Sequence, residues 1–132
     1  MIRITLVCIL LYLHGCSSLT KNDGSVITRP FSAVDANRNI VLAPNHTFEI
    51  VLPSNPTTGY DWNVLVSNPD VVGDVSSKYS KDASGRIGAG GATTWTLRTG
   101  KIGETTLAFS YLRPWEKDTV PTRVVIFTIN VR

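Results

Sequence analysis

The feature that most constrains the fold of this chain is a series of short runs in which apolar and polar residues alternate. Alternation with a period of two places apolar side chains on one face of a β-strand, whereas a helix requires a period near 3.6. Glycine, proline, asparagine and aspartate separate the runs, as expected for strands joined by turns. Such a pattern in a chain of 132 residues favours an all-β fold, a β-sandwich. The predicted strands are marked by Ile40 and Leu42; Phe48, Ile50 and Leu52; Tyr60, Trp62, Val64 and Val66; Val71 to Tyr79; Thr93, Trp95 and Leu97; Leu107, Phe109 and Tyr111; and Val125, Phe127, Ile129 and Val131.

The N-terminal stretch is typical of a targeting signal rather than of a folded domain. Arg3 supplies a positive charge, and the apolar run of residues 4–13 follows it. This run is too short to span a bilayer and has the length of the apolar core of a signal peptide. We therefore predict a signal segment over residues 1–15.

The end of this signal resembles a bacterial lipobox. Leu13 lies three positions before Cys16 and Gly15 directly before it, while His14 departs from the usual small or apolar residue. The resemblance implies cleavage before Cys16 and acylation of that cysteine, with palmitate as a typical acyl chain. Two or three acyl chains hold a protein stably on a membrane, whereas one does so only marginally. An ordinary secretory peptide with a chance cysteine is the alternative interpretation.

A lipobox predicts a location in a bacterial cell envelope, facing the periplasm or the exterior. Ser17 follows Cys16, and the absence of aspartate at that position favours the outer membrane. Residues 16–29 begin with a polar, aperiodic stretch that we interpret as a tether between the lipid and the domain. A single domain is then expected over residues 30–132, which is an ordinary domain length.

Composition argues against several classes of function. The net charge is only +3 and no run of lysine or arginine is present, which gives no support for nucleic acid as a partner. Cys8 leaves with the signal and Cys16 is acylated, so no disulfide framework is expected. His46 is then the only histidine, and no nucleophile motif such as GxSxG occurs. We therefore expect neither an enzyme with catalytic residues nor a metal or cofactor site.

The first of three notable loops is stiffened at both ends. Pro56 fixes its own φ, and Gly59 permits a positive φ where the chain turns into the next strand. The two threonines between them are β-branched, so the loop loses little entropy when a narrow cleft holds it. An ordinary turn is the alternative. The loop comprises Asn55, Pro56, Thr57, Thr58, Gly59 and Tyr60.

The second loop is rich in glycine and precedes the Trp95 strand. Its backbone amides and carbonyls are uncovered, so another chain can approach closely. A phosphate-binding loop is excluded because the run leads into a strand and no Lys-Ser/Thr pair follows. A flexible hairpin tip is the alternative. The loop comprises Gly88, Ala89, Gly90 and Gly91.

The third loop is Arg113-Pro114-Trp115, which opens the connection to the final strand. Trp115 lies in a polar segment, and an exposed aromatic residue beside an arginine is typical of a binding anchor. The alternative is that the indole folds back over the edge of the sandwich.

Together, the three loops resemble the pattern of the chagasin family of cysteine peptidase inhibitors. That pattern is NPTTG followed by an aromatic residue and a Trp two positions on, then GxGG, then Arg- or Lys-Pro-Trp. All three motifs occur here in that order, and the resemblance covers residues 30–132. It implies an immunoglobulin-like β-sandwich with the loops side by side at one end. It also implies tight, reversible, competitive inhibition of papain-like peptidases by a monomer without a cofactor.

The resemblance further assigns a role to each loop. Thr57 and Thr58 would enter the middle of the peptidase cleft, near its catalytic cysteine. The loop around Gly88 to Gly91 would follow the unprimed side by backbone pairing, and Arg113 with Trp115 would cover the primed side. Tyr60, with Trp62 after it, would brace the first loop from beneath. A non-inhibitory envelope binding or adhesion module that uses Tyr60 and Trp115 is the alternative function.

Overall fold

The structure, a computed structural model, describes residues 29–132. The predicted signal segment, the lipidation site at Cys16 and the tether up to residue 28 lie outside the described residues. Within residues 29–132, no helix is long and apolar enough to cross a membrane.

Two four-stranded β-sheets make up the domain, which confirms the predicted all-β sandwich. The strand order is β1-β3-β6-β5 in the first sheet and β2-β8-β7-β4 in the second. Two short 3₁₀ helices, at Ala33–Asp35 and Pro56–Thr58, interrupt the strands. The strands are β1 Phe31–Ser32, β2 Asn39–Leu42, β3 Thr47–Ser54, β4 Asp61–Val66, β5 Val72–Lys81, β6 Gly91–Thr99, β7 Gly103–Leu112 and β8 Arg123–Val131.

Every predicted strand is present, with differences at four points. β5 spans Val72–Lys81 rather than residues 71–79, because its pairing with β6 begins at Val72 and continues to Lys81. β4 begins at Asp61 rather than at Tyr60, because Gly59 turns the chain with a φ of 80° immediately before it. β6 begins at Gly91, which the sequence had placed in the glycine-rich loop. β1 was not predicted, since its two residues are too few to display an alternating pattern.

The alternating apolar residues meet between the two sheets and form one core. Phe109 lies at its centre with no exposed surface, and its ring contacts the Trp95 and Phe127 rings edge-to-face. Burying one such side chain stabilises a fold by about 1.5–3 kcal/mol. Both cysteines precede residue 17, so this core and not a disulfide holds the domain together. Other fully buried core side chains are Ile50, Leu52, Leu97, Leu107 and Ile129.

The N-terminal segment crosses from one sheet to the other. β1 pairs with β3 in parallel, and after the first 3₁₀ helix β2 pairs in parallel with β8. Asp35 ends that helix and is almost fully buried, where it accepts hydrogen bonds from the Ser32 amide at 3.0 Å and the Arg29 guanidinium at 2.7 Å. The bond from Arg29 and the bond from the Ser32 amide lower the pKa of Asp35 to about 2. An ion pair with a buried carboxylate and a half-exposed guanidinium therefore fixes the first described residue to the crossing.

Candidate functional site

Strand pairing places the three predicted loops at the same end of the sandwich. In the first sheet, Gly91 at the start of β6 lies between Ser54 at the end of β3 and Lys81 at the end of β5. In the second sheet, Asp61 at the start of β4 faces Leu112 at the end of β7. We call the three connections the Thr-Thr loop (residues 55–60), the glycine loop (residues 82–90) and the Trp loop (residues 113–122). They form one pole of the molecule.

The Thr-Thr loop is a compact turn held by its own hydrogen bonds. The Thr58 amide donates to the Asn55 carbonyl at 3.2 Å, and the Gly59 amide donates to the Pro56 carbonyl at 2.9 Å. The Thr57 hydroxyl donates to the Asn55 side-chain oxygen at 2.6 Å, and the Thr58 hydroxyl to the Asn55 carbonyl at 2.7 Å. These bonds fix the turn, while both threonines remain exposed at its tip.

Three aromatic rings support the turn from beneath. Tyr111 stacks on Tyr60 with ring centroids 5.4 Å apart and contacts Trp62 at 4.8 Å. Its hydroxyl accepts a hydrogen bond from the Asn55 amide at 2.9 Å, and the Trp62 indole donates to the Pro53 carbonyl at 2.9 Å. Because Trp62 is part of the hydrophobic core and Tyr111 packs against it, these rings connect the loop to the core.

Tyr111 is a residue of the site that the sequence analysis did not single out. It was predicted only as an alternating member of the β7 strand. The sequence does offer one indication that Tyr111 belongs to the site: it precedes Arg113 by two positions and is therefore close to a predicted binding loop. Tyr60 was identified from the sequence, but its contact with Tyr111 was not, because 50 residues of chain lie between the two.

Trp115 packs against the Thr-Thr loop and still exposes most of its side chain. A Cβ added at Gly59 would overlap the indole, with Cζ2 at 2.7 Å, so a side chain at this position would displace the ring. Trp115 nevertheless remains 65% exposed. Both sequence interpretations describe part of this arrangement: one side of the indole lies on the sandwich, and the rest faces solvent.

Arg113 points toward the Thr-Thr loop as well. Its guanidinium carbon lies 4.6 Å from the centroid of the Tyr60 ring, and its Nε donates to the Thr58 carbonyl at 3.4 Å. Its Nη1 donates to Glu116 Oε1 at 3.0 Å, and the pKa of Arg113 is raised, chiefly by this bond. Pro114 is exposed between these two packed neighbours.

The glycine loop is joined to the Thr-Thr loop by one long hydrogen bond and is closed by another hydrogen bond of its own. The Asn55 side-chain amide donates to the Gly88 carbonyl at 3.4 Å, and the Asp82 amide donates to the Gly90 carbonyl at 3.1 Å. Gly88 has a φ of 78°, which a side chain would strain. Ala89, between Gly88 and Gly90, is half-buried.

Gly91, unlike the glycines before it, lies within the sheet, and sheet packing leaves no room for a side chain there. It pairs with strands on both sides, and an added Cβ would overlap the Ser80 carbonyl and lie 2.9 Å from the Tyr79 hydroxyl. Before the strand, Gly85 and Gly88 have open space where a side chain would be, whereas a Cβ at Gly90 would lie 3.1 Å from the Ser54 carbonyl.

The pole is suited to recognition by shape rather than to chemistry. Its threonine hydroxyls are occupied by hydrogen bonds within the turn. No three His, Cys, Asp or Glu side chains between residues 29 and 132 come together to hold a metal. What the pole offers another protein is a braced turn, an exposed indole and uncovered backbone. These features define an immunoglobulin-like β-sandwich with three loops gathered at one end.

Known proteins share this architecture and sequence. Amoebiasin-2 from Entamoeba histolytica is 32% identical over 89 residues, which cover 67% of this chain and 72% of amoebiasin-2. Chagasin from Trypanosoma cruzi is 32% identical over 80 residues, covering 58% of this chain and 73% of chagasin. The crystal structure of EhICP2, a cysteine protease inhibitor from Entamoeba histolytica, has a TM-score of 0.68 at 27% identity and covers 79% of this chain and 95% of EhICP2.

The family model for the chagasin family peptidase inhibitors, I42, matches residues 41–131. The chain therefore belongs to the chagasin family of peptidase inhibitors, as the loop motifs predicted. Membership confirms the predicted class, an inhibitor of peptidases rather than an enzyme.

Proposed function

We propose that this protein inhibits papain-like cysteine peptidases by inserting the loop pole into the elongated active-site cleft. The observation that carries the proposal is the joining of the Thr-Thr and Trp loops through the Trp115–Gly59 and Arg113–Tyr60 contacts. Loops that are already fixed in place lose little conformational entropy on binding, so more of the contact energy is expressed as affinity.

The Thr-Thr loop would occupy the middle of the cleft. Its turn projects Thr57 and Thr58 from a platform of aromatic rings, and both side chains are exposed. Because the turn is held by internal hydrogen bonds, its carbonyls are not free to adopt the geometry that nucleophilic attack requires. The inhibitor would thus block the cleft without being cleaved and without a covalent step.

The flanking loops would extend the block along both arms of the cleft. Trp115 offers an exposed apolar surface for one side, and the exposed backbone at Gly88, with open space where a side chain would be, would be accessible for strand-like pairing on the other. An interface of standard size buries about 1,600 Å², which suffices for tight binding when the loops are preorganised. Substrate would be excluded along most of the cleft, which makes the inhibition competitive. Because no covalent bond forms, the inhibition is also reversible.

A titration tests this proposal. The soluble chain, residues 17–132, is added to papain or a cathepsin L-type enzyme at several substrate concentrations. We expect stoichiometric loss of activity that substrate overcomes competitively. Ile102→Ala, at an exposed site at the opposite pole, is the matched control and should inhibit like the parent chain. Full peptidase activity in the presence of excess inhibitor would reject the proposal and favour a non-inhibitory binding module.

We also propose that the inhibitor is tethered to a bacterial envelope membrane through acylated Cys16. The support is the order Leu13-His14-Gly15-Cys16 behind an apolar signal core, followed by a polar stretch. Cys16→Ala should release the protein from the membrane fraction of the expressing cells, and labelled palmitate should no longer be incorporated. A variant that stays membrane-bound would show that another segment holds the protein there.

A further inference from the structure

Glu116 lies directly behind the Arg-Pro-Trp motif, and no motif assigns it a role. Its side chain is half-buried and accepts the 3.0 Å hydrogen bond from Arg113 Nη1. Its backbone is held separately, since the Glu116 amide donates to the Arg113 carbonyl at 3.1 Å and the Thr119 hydroxyl donates to the Glu116 carbonyl at 3.0 Å. A side-chain substitution at Glu116 therefore leaves the turn's own hydrogen bonds in place.

The partner of Glu116 is the side chain that connects two loops. The Arg113 guanidinium lies over the Tyr60 ring, and its Nε reaches the Thr58 carbonyl. A long arginine side chain has many rotamers, and a weak 3.4 Å bond with one ring contact does not select a single one. The charge-assisted bond to Glu116 supplies the second fixed end, so the guanidinium is held between a carboxylate and the Thr-Thr loop.

We propose that Glu116 is a positioning residue that fixes Arg113 against the Thr-Thr loop, so that this loop and the Trp loop meet the peptidase as one unit. The inference rests on the proposed function for its effect on inhibition. Its effect on the free protein does not depend on any peptidase.

The first test is made on the inhibitor alone, by NMR measurement of amide–water exchange in Glu116→Ala and Glu116→Gln. The Thr58 and Gly59 amides close the Thr-Thr turn, and the Arg113 contact lies on the same turn. We expect both amides to exchange about 2- to 5-fold faster in Glu116→Ala, the range that corresponds to an exposed ion pair. Glu116→Gln keeps an oxygen acceptor and should restore most of the protection. Unchanged exchange in Glu116→Ala would overturn the proposal.

The second test is a double-mutant cycle read by the inhibition constant for papain. Glu116→Ala should raise that constant about 2- to 5-fold in the parent chain and leave it unchanged in an Arg113→Ala chain, because Glu116 acts only through Arg113. Glu49→Gln, on the exposed outer face of β3, removes the same charge and should have no effect. An equal loss in both backgrounds would mean that Glu116 touches the peptidase itself, which would also overturn the proposal. Absence of inhibition by the parent chain would instead refute the proposed function and leave the exchange result standing.

Discussion

Trp115 and Gly59 illustrate how the loop pole depends on single residues. The indole lies where a Cβ at position 59 would be, so the glycine of the NPTTG motif serves both the turn and the neighbouring loop. Sequence reasoning identified the φ requirement at Gly59, because glycine before a strand is a familiar turn signal. It could not identify the contact with Trp115, which depends on how two loops far apart in the chain meet.

Replacing Trp115 by alanine separates binding from stability. Because the side chain is 65% exposed, we expect Trp115→Ala to lower the melting temperature by no more than about 2 °C. The inhibition constant for papain should rise at least 10-fold, the loss typical of an aromatic anchor at an interface. Ile102→Ala, at a similarly exposed position at the opposite pole, is the control and should change neither quantity. A large drop in melting temperature would place Trp115 in the structural core instead.

At the scale of elements, the Thr-Thr loop is shaped by the strands that flank it as much as by its own sequence. Pro56 and Gly59 bound a 3₁₀ turn, as the motif suggested, but the turn stands on Tyr111 of β7. The Tyr111 hydroxyl accepts from the Asn55 amide, so it connects the second sheet to the end of a strand in the first. The orientation of the loop is therefore set by packing between the sheets.

Tyr111→Phe tests this support. The substitution keeps the ring that stacks on Tyr60 and removes only the acceptor of the Asn55 amide. We expect a loss of about 0.5–1.5 kcal/mol in the free energy of unfolding, measured by chemical denaturation, together with weaker papain inhibition. Tyr79→Phe, on an edge strand of the first sheet, is a matched control and should inhibit normally. Normal inhibition by Tyr111→Phe would show that the hydroxyl does not orient the loop.

An element could be predicted from the sequence only where its own residues carry a recognisable pattern. Strands such as β3 and β8 were identified because every second residue, from Phe48 to Leu52 and from Val125 to Val131, is apolar. The structure buries these same residues. β1 escaped detection because its two residues are too few to show a pattern, so only its pairing with β3 identifies it as a strand. The three loop motifs were found by resemblance, whereas the contacts of Glu116 and Tyr111 arise only when the strands bring them together.

At the scale of the whole molecule, the N-terminal crossing joins the two sheets on the side where the chain enters the domain. Asp35 is buried there with Arg29 as its charged partner, and the Arg29 side chain is 57% exposed. The crossing therefore depends on a carboxylate that must remain ionised.

This ion pair predicts a loss of stability in acid. The folded-state pKa of Asp35, about 2, lies below its ordinary value of 3.8, so its contribution is complete above pH 3.8 and disappears as the pH falls toward 2. Solvent screening at the half-exposed Arg29 limits the contribution to about 1 kcal/mol. Asp35→Asn should lower the free energy of unfolding by that amount at neutral pH and flatten its pH dependence between pH 4 and 2. Asp70→Asn, in an exposed pair with Lys101, is the control; equal acid sensitivity in the parent and Asp35→Asn would contradict the assignment.

We expect one pole of the sandwich, and no other surface, to enter the peptidase cleft. Hydrogen exchange of residues 17–132, measured by mass spectrometry with and without papain, locates the surface that is covered. Exchange should slow at residues 55–60, 82–90 and 113–122 in the complex and stay unchanged in the turns at the opposite end, residues 43–46, 67–71 and 100–102. Protection of the opposite turns, or of a sheet face with the loop pole unchanged, would contradict this expectation.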